Sequence, residues 1–166
     1  MDHVGITVPD IDQATQFFEA AFDAELIYES KSLADEPDEG PKTERMLNLF
    51  PGTRVDAVRM MRLRYGPGLE LFKMRGPEQH EPVRPSDYGL QHFAIYVDDI
   101  DAAIAQFEAA GGTMFSRPKA FMFESEVGAG NVFCYGRVPW GSVIEMLSYP
   151  SLMPYEKNTP LRRWRP

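Results

Sequence analysis

The feature that most restricts what this chain can become is a stretch that occurs twice. Asp2 to Ala21 reads DHVGITVPDIDQATQFFEAA, and Gln91 to Ala110 reads QHFAIYVDDIDAAIAQFEAA. With His3 laid on His92, about eleven of the nineteen positions from His3 to Ala21 are identical. Self-similarity this dense means two related units built on one plan. A looser match follows in each half: GPGLELF, Gly66 to Phe72, lies over GSVIEML, Gly141 to Leu147. Each half therefore opens on a strand-like run carrying a histidine and closes on one carrying a glutamate.

The first copy alternates. Val4, Ile6 and Val8 fall between His3, Gly5 and Thr7, the period of a strand with two unlike faces. The Val/Ile face needs a helix packed on it; the His3 face is small and polar, suited to lining a cavity. Asp10 and Gln13 form a capping box, and Ile11, Ala14, Phe18, Ala21 and Phe22 share one face of the helix that follows. In the second copy His92, Ala94 and Tyr96 face one way and Phe93, Ile95 and Val97 the other. Asp99 caps a helix with Ile100, Ala103, Ile104, Phe107 and Ala110 inward, stopped by Gly111 and Gly112.

Strand-like runs fill the rest of each half: Leu26 to Glu29, Val55 to Leu63 and Leu69 to Lys73 in the first, then Thr113 to Ser116, Val132 to Tyr135 and Ser142 to Leu147 in the second. With a turn over Tyr65 to Gly68, Glu70 stands opposite Leu63, and Met61 and Arg59 share its face. A slip of one residue reverses that face. The organisation read from this is a first βαβββ module over 1–75 with an insertion at 30–54, and a linker over 76–89 punctuated by Pro77, Pro82 and Pro85. A second βαβββ module covers 90–149 and a C-terminal arm 150–166. The insertion reads as a solvated loop or as a lid over a site, with Pro41 to Phe50 as a short helix opened by proline. The arm, which ends LRRWRP, reads as a segment laid on a neighbouring subunit, a cover across a cavity mouth, or a disordered end.

Composition removes several classes of partner. The formal net charge is -8, against nucleic acid and anionic membrane surfaces, which reward a basic face. A hydrophobic fraction of 43% supports a sizeable core. The one cysteine, Cys134, cannot form an internal disulfide and fits a reducing cytoplasm; within its apolar strand it reads as a buried structural thiol. No basic and apolar leader pattern opens the chain, and no apolar run approaches membrane-spanning length. The expectation is a soluble cytoplasmic protein that acts on a small molecule.

Two imidazoles and two carboxylates at repeat-equivalent positions form a good ligand set for a divalent transition metal: His3, Glu70, His92 and Glu145 for one ion of Zn, Ni, Co, Mn or Fe per site. Glu70 and Glu145 lie among apolar neighbours, where a carboxylate without a partner is costly to bury. A metal-free His–Glu salt-bridge cluster is the competing reading. Other candidates are weaker. Arg59 reads as a substrate-carboxylate ligand or a solvated arginine. Tyr96 shares the His92 face and lines the pocket or packs. Phe121, Met122 and Phe123 read as an apolar entrance or as core. His80, in the linker, receives no role.

With a histidine at each module start and a glutamate at each module end, the chain resembles the vicinal oxygen chelate superfamily. That group includes glyoxalase I, methylmalonyl-CoA epimerase, extradiol dioxygenases and the fosfomycin- and bleomycin-resistance proteins. The resemblance covers nearly the whole chain, least so the insertion and the arm. It implies an α+β fold of two βαβββ modules, a curled mixed/antiparallel sheet around a metal cavity with helices outside, and a homodimer. Its four metal positions fall on His3, Glu70, His92 and Glu145. The family's frequent Asp-Pro-x-Gly turn before the last ligand is Val138 to Gly141 here, without the Asp. The ligand set is similar to the bacterial glyoxalase I pattern, whereas methylmalonyl-CoA epimerase usually has Gln where Glu70 stands.

What this resemblance implies is a divalent-metal-dependent lyase or isomerase. It would act on a small oxygen-chelating carbonyl or carboxylate substrate through a metal-stabilised enediolate, with Glu145 and Glu70 as the proton-carrying catalytic residues. One alternative is an extradiol-type ring-cleaving dioxygenase using Fe(II) or Mn(II), in which Glu70 is dispensable. Another is a non-enzymatic small-molecule binding or resistance protein, which keeps its ligand after chelation of the metal.

Overall fold

A computed structural model describes residues 1–165 of the chain. It separates into two compact units, one from Met1 to Glu81 and one from Pro82 onward. Both are mixed α+β structures in which one sheet carries the site residues.

The first unit runs β1 (His3–Val8), α1 (Ile11–Phe22), β2 (Glu25–Lys31), α2 (Pro41–Leu47), β3 (Arg54–Arg62) and β4 (Gly68–Arg75). The sheet order is β1-β4-β3-β2, with β1 parallel to β4 and the other pairs antiparallel. Helix α1 starts where the sequence says. Asp10 is extended and its carboxylate accepts the Gln13 N–H at 2.9 Å, the forward bond of a capping box. That bond holds the Asp10 carboxyl below its ordinary range. At the other end Asp23 takes the left-handed conformation, φ 51°, and stops the helix. Ile11, Ala14, Phe17, Phe18, Ala21 and Phe22 are buried. They meet the sheet face that carries Ile6, Val8, Met61, Leu69 and Leu71, all buried. The opposite face of the sheet is left for His3 and Glu70.

Two expectations for this unit change. Helix α2 ends at Leu47 rather than Phe50, because Asn48 is left-handed at φ 54° and breaks the repeat. The β3–β4 hairpin pairs Arg62 with Gly68 and Met60 with Glu70. Its loop is therefore Leu63 to Pro67, not a tight Tyr65–Gly68 turn, and Glu70 stands opposite Met60 instead of Leu63. The shift is odd in register, so Arg59 and Met61 move to the α1 face. A left-handed Arg64, φ 40°, and the bond from the Gly66 N–H to the Leu63 carbonyl build the longer loop. The insertion at 30–54 is tied back to its own sheet by paired backbone bonds between Asp38 and Val55.

The second unit runs β5 (His92–Tyr96), α3 (Ile100–Ala109), β6 (Thr113–Met114), β7 (Lys119–Ala120), β8 (Val132–Arg137) and β9 (Val143–Ser148), then a short 3-10 turn at Pro154–Lys157. The order is β5-β9-β8-β6, with β7 also on β8; β5 is parallel to β9, as β1 is to β4. Asp99 caps α3 through the N–H groups of Asp101 and Ala102. Gly111, at φ +102°, ends it. Of the expected inward residues only Ile104 and Phe107 are fully buried. The expected Thr113–Ser116 strand shortens to β6, and an unforeseen short strand, β7, follows after Pro118, which has no N–H to give a ladder.

The arm folds onto its own unit instead of leaving it. The buried Tyr149 hydroxyl donates to the Trp164 carbonyl, and the Arg163 N–H donates to the Tyr155 hydroxyl at 2.8 Å. The Arg163 and Arg165 guanidinium groups sit 5.2 and 5.0 Å from the Tyr149 ring centre. Arg163 also meets Glu126 at 3.1 Å. Pro166 lies outside the described residues. Among those residues no helix is long and apolar enough to cross a membrane.

Candidate metal centre

In each unit the parallel pairing of the first and last strands sets a histidine beside a glutamate. His3 lies across from Gly68 and Gly5 across from Glu70. Alternation then puts His3 and Glu70 on one face as diagonal neighbours. Glycines occupy the two remaining corners, and the missing side chain at Gly68 lets Met60 and His3 come in close. A Cβ on Gly68 would fall 2.9 Å from the Met60 sulfur and 3.4 Å from the His3 Cβ. The result is His3 Nε2 at 3.2 Å from Glu70 Oε2, with His3 Nδ1 at 2.7 Å from Asp2 Oδ2. The bond to Asp2 is the main reason the His3 ring holds its proton above the ordinary histidine range, with Glu70 adding to it.

The second unit repeats the arrangement. His92 pairs with Val143 and Ala94 with Glu145. His92 Nε2 is 3.3 Å from Glu145 Oε2, and His92 Nδ1 is 3.2 Å from Gln91 Oε1. Glu145 is the more enclosed carboxylate, its side chain 13% exposed against 24% for Glu70.

One residue of this site was not foreseen. Tyr135 lies directly across from Glu145 on β8, its hydroxyl hydrogen-bonded to the Glu145 carboxylate and its ring edge-on to His92 at 5.2 Å. Burial, and then the Glu145 charge, push the Tyr135 phenol up from its ordinary value, so it stays a donor. In the first unit the matching place opposite Glu70 is Met60. Only the β8–β9 register reveals Tyr135, and that register depends on the length of the intervening loop. Tyr135→Phe removes the donor and keeps the ring. If Glu145 carries protons, turnover should fall about tenfold or more with KM little changed; an unchanged rate would show that the hydroxyl does not support Glu145.

The remaining candidates go elsewhere. Arg59 is on the α1 face. It bonds the Ile11 carbonyl and the Thr15 hydroxyl and pairs with Asp12 at 2.7 Å and Glu29 at 2.9 Å. It is not brought to Glu70. Tyr96 shares the His92 face, but its ring packs edge-on to Tyr149 at 4.9 Å, against the cluster of Phe121, Leu147, Tyr149 and Met153. Phe121 is core, whereas Met122 and Phe123 are exposed. Cys134 is buried, and burial pushes its thiol up to about 11, which keeps it a thiol. His80 is exposed in the linker.

Each unit thus supplies one imidazole nitrogen and one carboxylate oxygen pointed at each other, with the second imidazole nitrogen already engaged. That is the donor chemistry of a divalent transition metal, which takes the Nε2 lone pair and a carboxylate oxygen. Among the described residues, no group of three or more His, Cys, Asp or Glu side chains is placed to hold an ion. One unit therefore offers half of a four-donor set.

Known proteins share this plan. The family model described as Glyoxalase/Bleomycin resistance protein/Dioxygenase superfamily matches residues 2–130. A 2-epi-5-epi-valiolone epimerase from an Actinomyces species is 34% identical over 165 residues, covering 99% of this chain and 87% of that protein. Among solved structures, a glyoxalase family protein from Bacillus cereus superposes with a TM-score of 0.66 at 23% identity, covering 89% of this chain and 92% of the other. A fosfomycin resistance protein from Listeria monocytogenes superposes with a TM-score of 0.56 at 13% identity, covering 90% and 92%. The two structures speak to the fold.

Proposed function

This chain belongs to the glyoxalase/bleomycin resistance protein/dioxygenase superfamily, that of the vicinal oxygen chelate proteins, and from that premise we propose that it is a divalent-metal-dependent isomerase. Its substrate is a small hydroxylated carbonyl compound of the kind the epimerase relative is named for. The observation that carries the reading is the His–Glu pair repeated in both units. The epimerase relative, matched along nearly the whole chain, favours isomerase over lyase, dioxygenase or passive binder.

His3 and His92 would hold the ion through Nε2, with Glu70 and Glu145 as oxygen donors. The donors are completed by both units, of one chain or of two in a homodimer. A divalent ion held by these donors would supply Lewis acidity, which makes a C–H beside a carbonyl more acidic. Glu145 or Glu70, as the carboxylate, would take the proton from the carbon beside the carbonyl, and the other, entering as the carboxylic acid, would give its proton to the opposite side of that carbon, so that the two carboxyls exchange protonation states and reset through solvent. The stereocentre inverts and no proton is gained or lost overall. Tyr135 orients Glu145 for this transfer and withdraws nothing from the balance, since its own proton stays in place. The cytoplasmic location belongs to the same proposal and rests on the single, buried cysteine.

The test is metal content of protein purified without added metal, followed by incubation with 2-epi-5-epi-valiolone in D2O. We expect about one ion per four-donor site, deuterium appearing at the epimerised carbon, and loss of both exchange and epimerisation on treatment with EDTA. Epimerisation that persists in the metal-stripped protein would remove the metal from the mechanism. Absence of exchange and of epimerisation in metal-loaded protein would overturn the isomerase assignment for this substrate class.

A further inference from the structure

We propose that Asp2 and Gln91 are positioning residues that fix the ring orientation and tautomer of the two metal-binding histidines, and that they do so unequally. The inference rests on the metal-centre reading of His3 and His92. Its own basis is a contact that the repeat makes twice.

Asp2 and Gln91 are repeat-equivalent, each the residue immediately before a site histidine. Both reach back to the same ring atom. Asp2 Oδ2 lies 2.7 Å from His3 Nδ1, and Gln91 Oε1 lies 3.2 Å from His92 Nδ1. Each of these oxygens accepts, so Nδ1 carries the hydrogen in both rings. With Nδ1 committed, Nε2 is the nitrogen left to bind an ion. It is also the atom that meets the carboxylate in each unit, at 3.2 Å to Glu70 and 3.3 Å to Glu145. A histidine ligand held through its far nitrogen loses less freedom on binding, and an anionic acceptor there makes the near nitrogen a stronger donor.

The two acceptors differ in charge. His3 leans on a carboxylate and His92 on a neutral amide, so the shared plan carries a built-in asymmetry. His3 should be the stronger nitrogen donor and the first unit the firmer half of the centre. Asp2 is itself highly exposed, its side chain 91% accessible. Its replacement therefore removes a contact to the ring and little packing.

Cobalt(II) is the probe, titrated into metal-free full-length protein and followed by its visible absorption. The proteins are the wild type, Asp2→Ala, Asp2→Asn, Gln91→Ala and Gln91→Glu, each checked for native circular dichroism. We expect Asp2→Ala and Gln91→Ala to weaken cobalt binding about 10- to 100-fold, with the larger loss in Asp2→Ala. Asp2→Asn, which keeps an acceptor without the charge, should recover part of that loss, and Gln91→Glu should bind more tightly than wild type. The exchangeable Nδ1–H signal of His3 in the cobalt-loaded protein supplies a second readout: it should persist in wild type and Asp2→Asn, and be broadened by exchange with water in Asp2→Ala. Tight binding by wild type with affinity unchanged within about twofold in both alanine variants would overturn the positioning role and leave the metal centre standing. Equal persistence of that signal in Asp2→Ala would also overturn it. A wild type that takes no cobalt would overturn the metal-centre reading, and the positioning role with it.

Discussion

Glu145→Gln should cut isomerase turnover about 100- to 10,000-fold while leaving the fold intact. The change swaps one carboxylate oxygen for an amide nitrogen at nearly constant volume. It removes the group proposed to carry the proton and weakens the oxygen donor beside His92 Nε2, 3.3 Å away. What surrounds the position tolerates the amide. The Tyr135 hydroxyl can still donate to the remaining carbonyl oxygen, and the flanking Ile144 and Met146 are fully buried on the other face of β9. The loss should therefore appear in kcat and in bound metal, and not in the unfolding midpoint of the metal-free protein. Glu70→Gln is the companion measurement. If both carboxylates move protons, it too should be severely impaired, whereas a ring-cleaving enzyme that needs only His3, His92 and Glu145 would tolerate it. Wild-type turnover in Glu145→Gln would exclude Glu145 as the base.

Phe107→Ala should destabilise the second unit by about 3 to 5 kcal/mol, measured by urea unfolding at constant m-value. Phe107 is fully buried on α3. Its ring fills space vacated by two glycines: a Cβ on Gly112 would fall 2.2 Å from the ring and one on Gly136 2.7 Å. Those neighbours offer no side chain to collapse into the hole, so truncation leaves a cavity as well as lost burial. Phe18, its repeat partner, is as deeply buried in the first unit, where Phe17 stands edge-on at 5.4 Å and Phe22 lies tilted at 6.4 Å. Phe18→Ala should cost a similar amount in the first unit. A loss below about 1 kcal/mol in Phe107→Ala would mean that the ring is not the packing centre its burial indicates.

Much of the architecture is legible along the chain. The repeat places two β-α openings, and Asp10 and Asp99 mark their helix starts to the residue. The histidines and glutamates fall on the strands assigned to them. These features rest on short-range rules: side chains alternate with period two on a strand and 3.6 on a helix, and a cap acts within one turn. A repeated sequence also repeats its pairing partners, which is how a strand at one end of a module can be matched to one at the other.

The tertiary structure decided what depends on loop length and on contacts between distant segments. The five-residue span Leu63 to Pro67 set the β3–β4 register. One odd shift there carried Arg59 from the Glu70 face to Asp12, Glu29 and Thr15 on the α1 side. The β8–β9 register brought Tyr135 to Glu145 in the second unit, where the first has Met60. Packing, not local pattern, brought Arg163 and Arg165 of the arm onto Tyr149. Alternation along a strand states which residues share a face but not which face meets the site. That choice is made by pairing energies summed over whole strands, and those sums exist only once the chain has closed its loops.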